Sequence, residues 1–491
     1  MTPDAAKIRE RLQSEVGRID KRAPFTIGLG YPSPYFAAMS SLGYQQIYKL
    51  IQATPGIACE RIFLPDEARD RGTAPRSYEG GRALSDFPAL AFSVAYELEL
   101  AGLIEMLEAS GIPSLREERD ASFPLVIAGG PLTFSNPLPL AAFVDAIIMG
   151  EAEDVVAPVL AAIEGASGKA DAIHRLATIP HVFVPQHHGV VMPPVARCED
   201  ASLPAHSAIR TPDTELSNMF LIESERGCSR SCTYCVMRRS TNGGMRLVKK
   251  ERLLELIPQD AARVGLVGAA VSDHPKIVEI LNTLADRGSE VGLSSLRPDR
   301  LSDELVGALC RAGYRTLTTA MDGPSERLRE SLERRARIKH LRRAAELARE
   351  HKMKRLKLYL MLGLPTETDD DVRECVELTS ELSKVIPVAL GIAPFCAKRN
   401  TPLDGAAFAG IDVVNHRLDL LRHGLKGRAD VRATSARWAW VEYVLAQGGV
   451  TEGIAVRDAV RAGGSFAAYK KAFDRALSSR PGRRSLAIAP V

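Results

Sequence analysis

Residues 219–235 read MFLIESERGCSRSCTYC. An apolar run of strand length passes directly into a glycine-led loop that carries Cys228, Cys232 and Cys235. The C-x3-C-x2-C spacing on a tight loop lets three thiolates converge on one centre. A structural zinc site would need a fourth nitrogen or sulfur ligand to close its tetrahedron. The nearest histidines are His206 and His274, and no second cysteine pair stands nearby. Three protein ligands without a fourth suit a [4Fe–4S] cluster with one iron left open, and an open iron is a place for chemistry.

The run that ends at this loop begins a strand–helix series. MFLIESERG, ARVGLVGAAVSD, EVGLSSLRP, YRTLTTAMDG, RLKLYLMLGLP and VALGIAPF are strand-like, with helical stretches between them. Six such β/α units over 216–400 predict an open, partial (β/α)6 barrel with its chemistry at the strand C-termini. Towards the N-terminus a second series, over 25–165, contains FTIGLGYP, CERIFLP, ALAFSVAY, FPLVIAGGP and FVDAIIMG, again alternating with helices. Short apolar strands alternating with helices predict a Rossmann-like parallel sheet, with ligands at the carboxyl ends of its strands. Those ends hold Gly30 to Pro34, Ser93, Gly129-Gly130-Pro131 and Gly150. Residues 1–24 read as a helical extension, 166–215 as a proline-punctuated connector, and 401–491 as a helical C-terminal region. The fold class is therefore α/β.

The chain has 491 residues, 45% hydrophobic and 25% charged, with 64 Lys+Arg against 60 Asp+Glu. This is the composition of an ordinary globular protein, not of a disordered chain, a collagen or a disulfide scaffold. A formal charge of +4 gives no overall reason to invoke nucleic acid or an anionic membrane. The charged start MTPDAAKIRERLQSEVGRIDKRAPF lacks the apolar core of a signal peptide, and no membrane span is evident, so a cytoplasmic location is expected. Five of the eight cysteines are scattered; Cys396, after a barrel strand, reads as a buried inert thiol rather than an accessory catalytic one. The segment 327–357 holds 13 Lys/Arg against 4 Asp/Glu and reads as a solvated helix face rather than a nucleic-acid patch. Trp438, Trp440 and Tyr443 read as core of a helix.

Around the cysteine loop the sequence resembles the radical S-adenosylmethionine superfamily, whose signature is this spacing with an aromatic residue, here Tyr234, before the last cysteine. SLRPDRLSDEL from Ser295, SERLRESL from Ser325 and KLYLMLGLPTETDDDV from Lys357 look like later strand motifs of the family. AVSDHPKI, APFCAKRNTPL, SVAYEL, VIAGGP and GEAED look like a subgroup with an N-terminal cobalamin-binding-type domain. The resemblance covers roughly residues 25 to 470. It implies that the open iron chelates S-adenosylmethionine, that one electron cleaves the sulfonium, and that the resulting 5′-deoxyadenosyl radical abstracts a substrate hydrogen. It also implies an external electron donor such as flavodoxin or ferredoxin. By position, Tyr234, Ser272, Asp273, Ser295, Arg297 and Asp322 would bind S-adenosylmethionine; Asp322 stands where relatives more often have Glu.

For cobalamin the resemblance implies Ser93, Gly129 and Gly130 as contacts. Histidine-ligated cobalamin domains carry a D-x-H-x-x-G loop after the first strand. Here that loop is GYPSPYFAAMSSLG, and the first histidine of the chain is His174, so no axial ligand comes from this domain. Cobalamin bound without that ligand would support methyl transfer to carbon. A domain that keeps the shape as a lid or substrate platform would leave a cobalamin-independent radical reaction. A non-catalytic iron–sulfur redox sensor is the reading of another class; it has no use for the polar residues at the strand ends. Methylthio transfer is disfavoured, because the N-terminal half offers only Cys59 before Cys198 for a second cluster. No motif identifies the substrate.

Overall fold

A computed structural model describes residues 3–67, 70, 72–238, 243–294 and 296–478. The chain divides into two units. The first takes the described residues up to Phe220 together with 448–478; the second is Leu221–Gln447.

The first unit is built on strands β1 (Phe25–Pro34), β2 (Ile57–Leu64), β3 (Ala89–Ser93), β4 (Leu125–Gly129), β5 (Ala146–Ile148) and β6 (Val182–Phe183). Their order is β2-β1-β3-β4-β5-β6, parallel from β2 to β5, with β6 antiparallel at the edge. The strands read as apolar runs rather than alternations because helices cover the sheet. Seven helices accompany them: α1 (Pro3–Ser14), α2 (Tyr35–Ala38), α3 (Leu42–Ala53), α4 (Glu99–Ala109), α5 (Val156–Glu164), α6 (Lys169–Leu176) and α7 (Pro185–His188). Helix α5 turns Val156 and Leu160 towards a core with Ile27, Leu29, Tyr44 and Phe63, and Val155 and Val159 towards one with Leu125, Ile127 and Leu176.

Residues 3–14 form the expected helix, and buried charge ties their surroundings to the unit. The Arg61 side chain is fully buried, with Nη1 and Nη2 donating to the Glu15 carboxylate at 2.7 and 2.8 Å and Nε donating to Glu79 at 2.6 Å. From α1, Arg11 donates to Asp213 at 2.5 Å and to the Tyr78 hydroxyl at 2.7 Å, and lies over the Tyr35 ring. The span expected as a connector, 166–215, contributes α6, α7 and β6 as well. Prolines punctuate it, and its elements are too short for a sustained periodicity to show.

The second unit carries β7 (Met219–Glu223), β8 (Glu225–Arg226), β9 (Arg246–Leu247), β10 (Arg263–Val267), β11 (Glu290–Leu293), β12 (Thr316–Asp322), β13 (Arg355–Leu362), β14 (Val388–Pro394) and β15 (Ala429–Ala433). Sheets β11-β10-β7 and β12-β13-β14-β15 are joined by a parallel bridge between Leu296 and Thr319, where the Thr319 hydroxyl donates to the Leu296 carbonyl at 2.6 Å. An open barrel of β/α units is thus present. Its last strand, β15, lies beyond the six runs legible in the sequence. It is a short edge strand, ADVRA, with two of its five residues charged, so it makes no apolar run.

Helices α8 (Lys250–Leu256), α9 (Ile277–Asp286), α10 (Asp303–Arg311), α11 (Glu326–Ser331), α12 (Ile338–Glu350), α13 (Asp369–Ser383), α14 (Ile411–Gly424) and α15 (Ala436–Gln447) complete the unit. Helix α12 buries Leu341, Ala344, Ala345, Leu347 and Ala348 on one face. Its exposed arginines find carboxylates, Arg342 on Glu381 at 2.6 Å and Arg343 on Glu350 at 3.1 Å. In α15, Tyr443 is buried as core, whereas Trp438 is 39% exposed.

The chain then returns to the first unit as α16 (Val450–Arg461) and α17 (Phe466–Ser478). Helix α16 packs on α17, on α4 and on the turn at 138–142. Arg461 meets Glu108 at 2.9 Å, Arg457 meets Glu118 at 3.1 Å, and Asn136 donates to the Gly448 carbonyl at 2.9 Å. Amphipathic helices carry no mark in the sequence of which sheet they will cover, so 401–491 reads as one region although it serves two. No helix among the described residues is long and apolar enough to cross a membrane.

Candidate functional site

Strand β7 delivers the cysteine loop to the C-terminal end of the barrel strands. Gly227 opens the loop with φ +81°, and a Cβ there would sit 2.3 Å from the Gly244 carbonyl oxygen, so only glycine lets the two backbones pass. The Cys235 N–H donates to the Cys232 carbonyl at 3.3 Å, closing the C-x2-C turn. Thr233, between them, is held from both sides: its N–H donates to the Leu332 carbonyl at 3.1 Å, and its carbonyl accepts from Leu403 at 3.3 Å.

Two charged groups brace this loop. In the first, Asp273 accepts from the Ser229 hydroxyl at 3.0 Å and from Arg297 Nη1 at 2.5 Å. Arg297 forks onto Asp299 at 2.5 and 3.2 Å, and Arg230 reaches Asp299 at 3.1 Å. The Arg297 N–H points at the Ser272 hydroxyl at 3.5 Å. Ser272, Asp273 and Arg297 are therefore brought together, and the charges are turned on one another and on loop residues Ser229 and Arg230. Ser295, expected beside them, lies outside the described residues.

The second group centres on Asp322, which has φ +66°, a conformation rare for a residue with a side chain and a frequent mark of functional strain. Asp322 forms an ion pair with Arg334 and accepts a hydrogen bond from the Tyr234 hydroxyl. Arg334 in turn lies against the Cys232 sulfur. Tyr234 and Asp322 were both expected at the site; Arg334 was not, since nothing marks it out among the thirteen basic residues of 327–357. Burial pushes the Cys228 and Cys232 thiols up and the Cys235 thiol up to about 11; Arg334 pulls Cys228 and Cys232 the other way.

Glu225, three residues before Cys228, was also missed. It is 1% exposed; its Oε1 accepts the Ala270 N–H at 2.6 Å, and among the described residues its Oε2 has no partner. Burial raises its pKa to about 7. The donor set fits an iron–sulfur cluster: three soft thiolates on one loop, wrapped by hydrogen-bonding and charged groups that orient them. Cys396, expected to be buried, is only half-buried, with its thiol on the Ala439 carbonyl at 3.1 Å.

In the first unit, Ser93 and Gly129 face each other in the β3–β4 register, with Gly130 next. Gly130 has φ +114°, and a Cβ there would lie 2.6 Å from the Val94 carbonyl oxygen. Val94 itself donates to the Gly129 carbonyl at 2.8 Å and accepts from Leu132 at 3.3 Å. At the C-terminal end of β1, beside the β1–β3 switch where strand order reverses and a ligand would enter, Tyr31 is bonded to Glu99, whose Oε2 accepts the Ala95 N–H at 2.6 Å. At Gly130 the crossing with Val94 takes the space that bare backbone would offer a cobalamin tail, whereas a Cβ on Gly129 would meet its nearest atoms only at ordinary contact distance, 3.5 Å. Elsewhere in this unit, Glu151, Glu153 and Cys198 place ligand atoms within 4.8 Å of one another; there the Cys198 N–H donates to Glu151 at 2.9 Å.

Comparison with known proteins places these observations. The family model for the radical SAM superfamily matches residues 222–379, and that for the N-terminal region of radical SAM proteins matches residues 43–185. Over 371 residues the chain is 29% identical to the uncharacterized protein MJ0966 of Methanocaldococcus jannaschii, covering 72% of this chain and 77% of that one. Among solved structures it is similar to the apo, selenomethionine-labelled cobalamin-dependent S-adenosylmethionine radical enzyme OxsB, with TM-score 0.50, 12% identity, and 72% of this chain on 51% of that one. The form of OxsB with aqua-cobalamin and S-adenosylmethionine bound gives TM-score 0.48 and 13% identity, with 74% of this chain on 52% of that one. The chain thus spans about half the length of these solved proteins, and the likeness is one of fold.

Proposed function

We propose, from the match of residues 222–379 to the radical SAM superfamily model, that this protein is an enzyme that generates a 5′-deoxyadenosyl radical and abstracts a hydrogen atom from a substrate. The observation that carries the reading is the loop 227–235, with three cysteines and no fourth ligand, braced at the strand ends of an open barrel. When bound, a [4Fe–4S] cluster would chelate S-adenosylmethionine and supply the electron that cleaves it.

The chain's own residues do the rest. Cys228, Cys232 and Cys235 would hold the cluster. Arg334, fixed by Asp322 and Tyr234, sets the position of Cys232 and offers its thiolate a compensating charge. The Asp273–Arg297–Asp299–Arg230 group holds the other flank of the loop. Burial of these groups keeps water from the centre, as radical chemistry requires. A small external one-electron donor of the flavodoxin or ferredoxin kind and a cytoplasmic location belong to the same proposal.

Methyl transfer supported by cobalamin is the finer reading that the resemblance implies. The close Gly130–Val94 crossing and the lack of a histidine in the loop after β1 favour the alternative, a radical reaction that runs without cobalamin. Anaerobic reconstitution with iron and sulfide, reduction with dithionite and addition of S-adenosylmethionine are expected to yield 5′-deoxyadenosine and methionine in equal amounts. A chain that holds its cluster and releases neither would overturn the enzyme reading in favour of a redox sensor. Replacing the three cysteines by Ala should abolish the visible cluster absorption. Hydroxocobalamin retained through gel filtration would restore the methyl-transfer reading.

A further inference from the structure

A strand inside a parallel sheet, flanked by other strands, ordinarily has no solvent face; it is apolar on both sides. Strand β13 departs from this. It lies between β12 and β14, yet it alternates. Leu356, Leu358, Leu360 and Leu362 are buried, while Arg355, Lys357, Tyr359 and Met361 take the opposite face, with Tyr359 40% exposed.

The neighbouring strands keep that face clear. Across β12, Thr318 and Ala320 stand opposite Lys357 and Tyr359. Across β14, Gly391 and Ala393 stand opposite Tyr359 and Met361. A Cβ on Gly391 would lie 2.7 Å from the Tyr359 ring, so the ring reclines across the bare backbone of β14. The Lys357 ammonium lies 4.7 Å from the centre of that ring, and among the described residues no carboxylate neutralises it. On the next strand, by contrast, Arg432 is already paired with Asp430 at 3.0 Å. The surface lies on the strand next to the one that ends at Asp322. Asp322, which braces the cysteine loop, is the register partner of Leu360, one residue or ~3.3 Å along the strand from Tyr359.

We propose that Lys357 and Tyr359 form the substrate-recognition surface of this enzyme, and that the substrate carries an anionic group, carboxylate or phosphate, beside a flat apolar part. A lysine ammonium is a point charge that accepts either anion; the reclining ring offers an apolar face to the neighbouring portion. This rests on the proposed enzyme reading and adds the substrate's chemical class to it.

The test uses the full chain with its cluster reconstituted and three probes: benzoate, phenyl phosphate and benzyl alcohol, followed by saturation-transfer NMR titration. One or both anions are expected to bind saturably and better than benzyl alcohol. Binding of benzoate alone identifies a carboxylate, and of phenyl phosphate alone a phosphate. Lys357→Met should weaken the anionic probes about five- to tenfold and leave benzyl alcohol unchanged; Lys357→Gln serves if the Met variant does not fold. Tyr359→Leu should weaken all three. Anions that bind the wild type and Lys357→Met equally, a neutral probe that binds as well as the anions, or no binding at all would each overturn the proposal. Release of 5′-deoxyadenosine from the same samples keeps the two readings apart. Release without anion selectivity overturns this inference alone, and anion selectivity without release overturns the enzyme reading alone.

Discussion

Replacing Glu225 by Gln isolates the energetic cost of one buried carboxylate. The group is 1% exposed, and only Oε1 has a partner, the Ala270 N–H at 2.6 Å. Its pKa is raised from 4.5 to about 7, with burial as the largest cause. The folded state therefore holds this proton more tightly than the unfolded chain. Stability falls as pH rises from 4.5 to 7, and above 7 the penalty is complete, about 3 kcal/mol at 1.36 kcal/mol per pKa unit. Glu225→Gln keeps the acceptor for Ala270 and removes the charge. Below about pH 5 the variant and the wild-type chain should be equally stable; at pH 8.5 the variant should be more stable by up to about 3 kcal/mol. The two tryptophans, Trp438 and Trp440, both lie in the second unit. Urea titrations of the cluster-free chain followed by tryptophan fluorescence thus read the right unit. A pH-independent difference, or a variant less stable at pH 8.5, would refute the argument.

Three further expectations follow from the same physics. Arg61→Met leaves Glu15 and Glu79 without their buried cation and should destabilise the first unit by about 3–5 kcal/mol, read by hydrogen exchange of β1 and β2 amides. Arg334→Gln removes the charge beside Cys232 and should lower cluster affinity about 10–100-fold, measured as iron retained against a chelator, while Arg334→Lys should recover part of it. Gly130→Ala forces a Cβ onto the Val94 carbonyl at positive φ and should cost about 1–3 kcal/mol, seen as a lower melting temperature; an unchanged melting curve would mean that β3 and β4 part easily there.

The parts of this protein written locally could be read in its sequence. The cysteine loop is one, because cluster ligation needs thiolates at fixed short spacing. The strands from β1 to β14 that form apolar runs are others. Residues whose meaning depends on distant partners could not be read. Arg334 matters because the chain folds it onto Asp322 and Cys232, yet in the sequence it is one arginine among many. Glu225 is unusual only because Gly268 gives its carboxylate room and nothing gives Oε2 a donor. Gly129 and Gly130 read equally well as a ligand cradle or as a close crossing of strands, and only the position of Val94 decides. Strand β15 escaped notice because an edge strand need not be apolar.

The interrupted first unit bears on how this protein is made. On a ribosome working at ~5–20 residues per second, α16 and α17 emerge on the order of 10–50 s after Phe220. Through that interval α4 and the turn at 138–142 lack the helix that later packs on them. The nascent chain must hold a helix and a turn whose outer cover has not yet been translated. A chain cut short anywhere in 221–447 would leave that apolar surface permanently bare, so proteases and chaperones can sort incomplete copies by what the first unit still exposes.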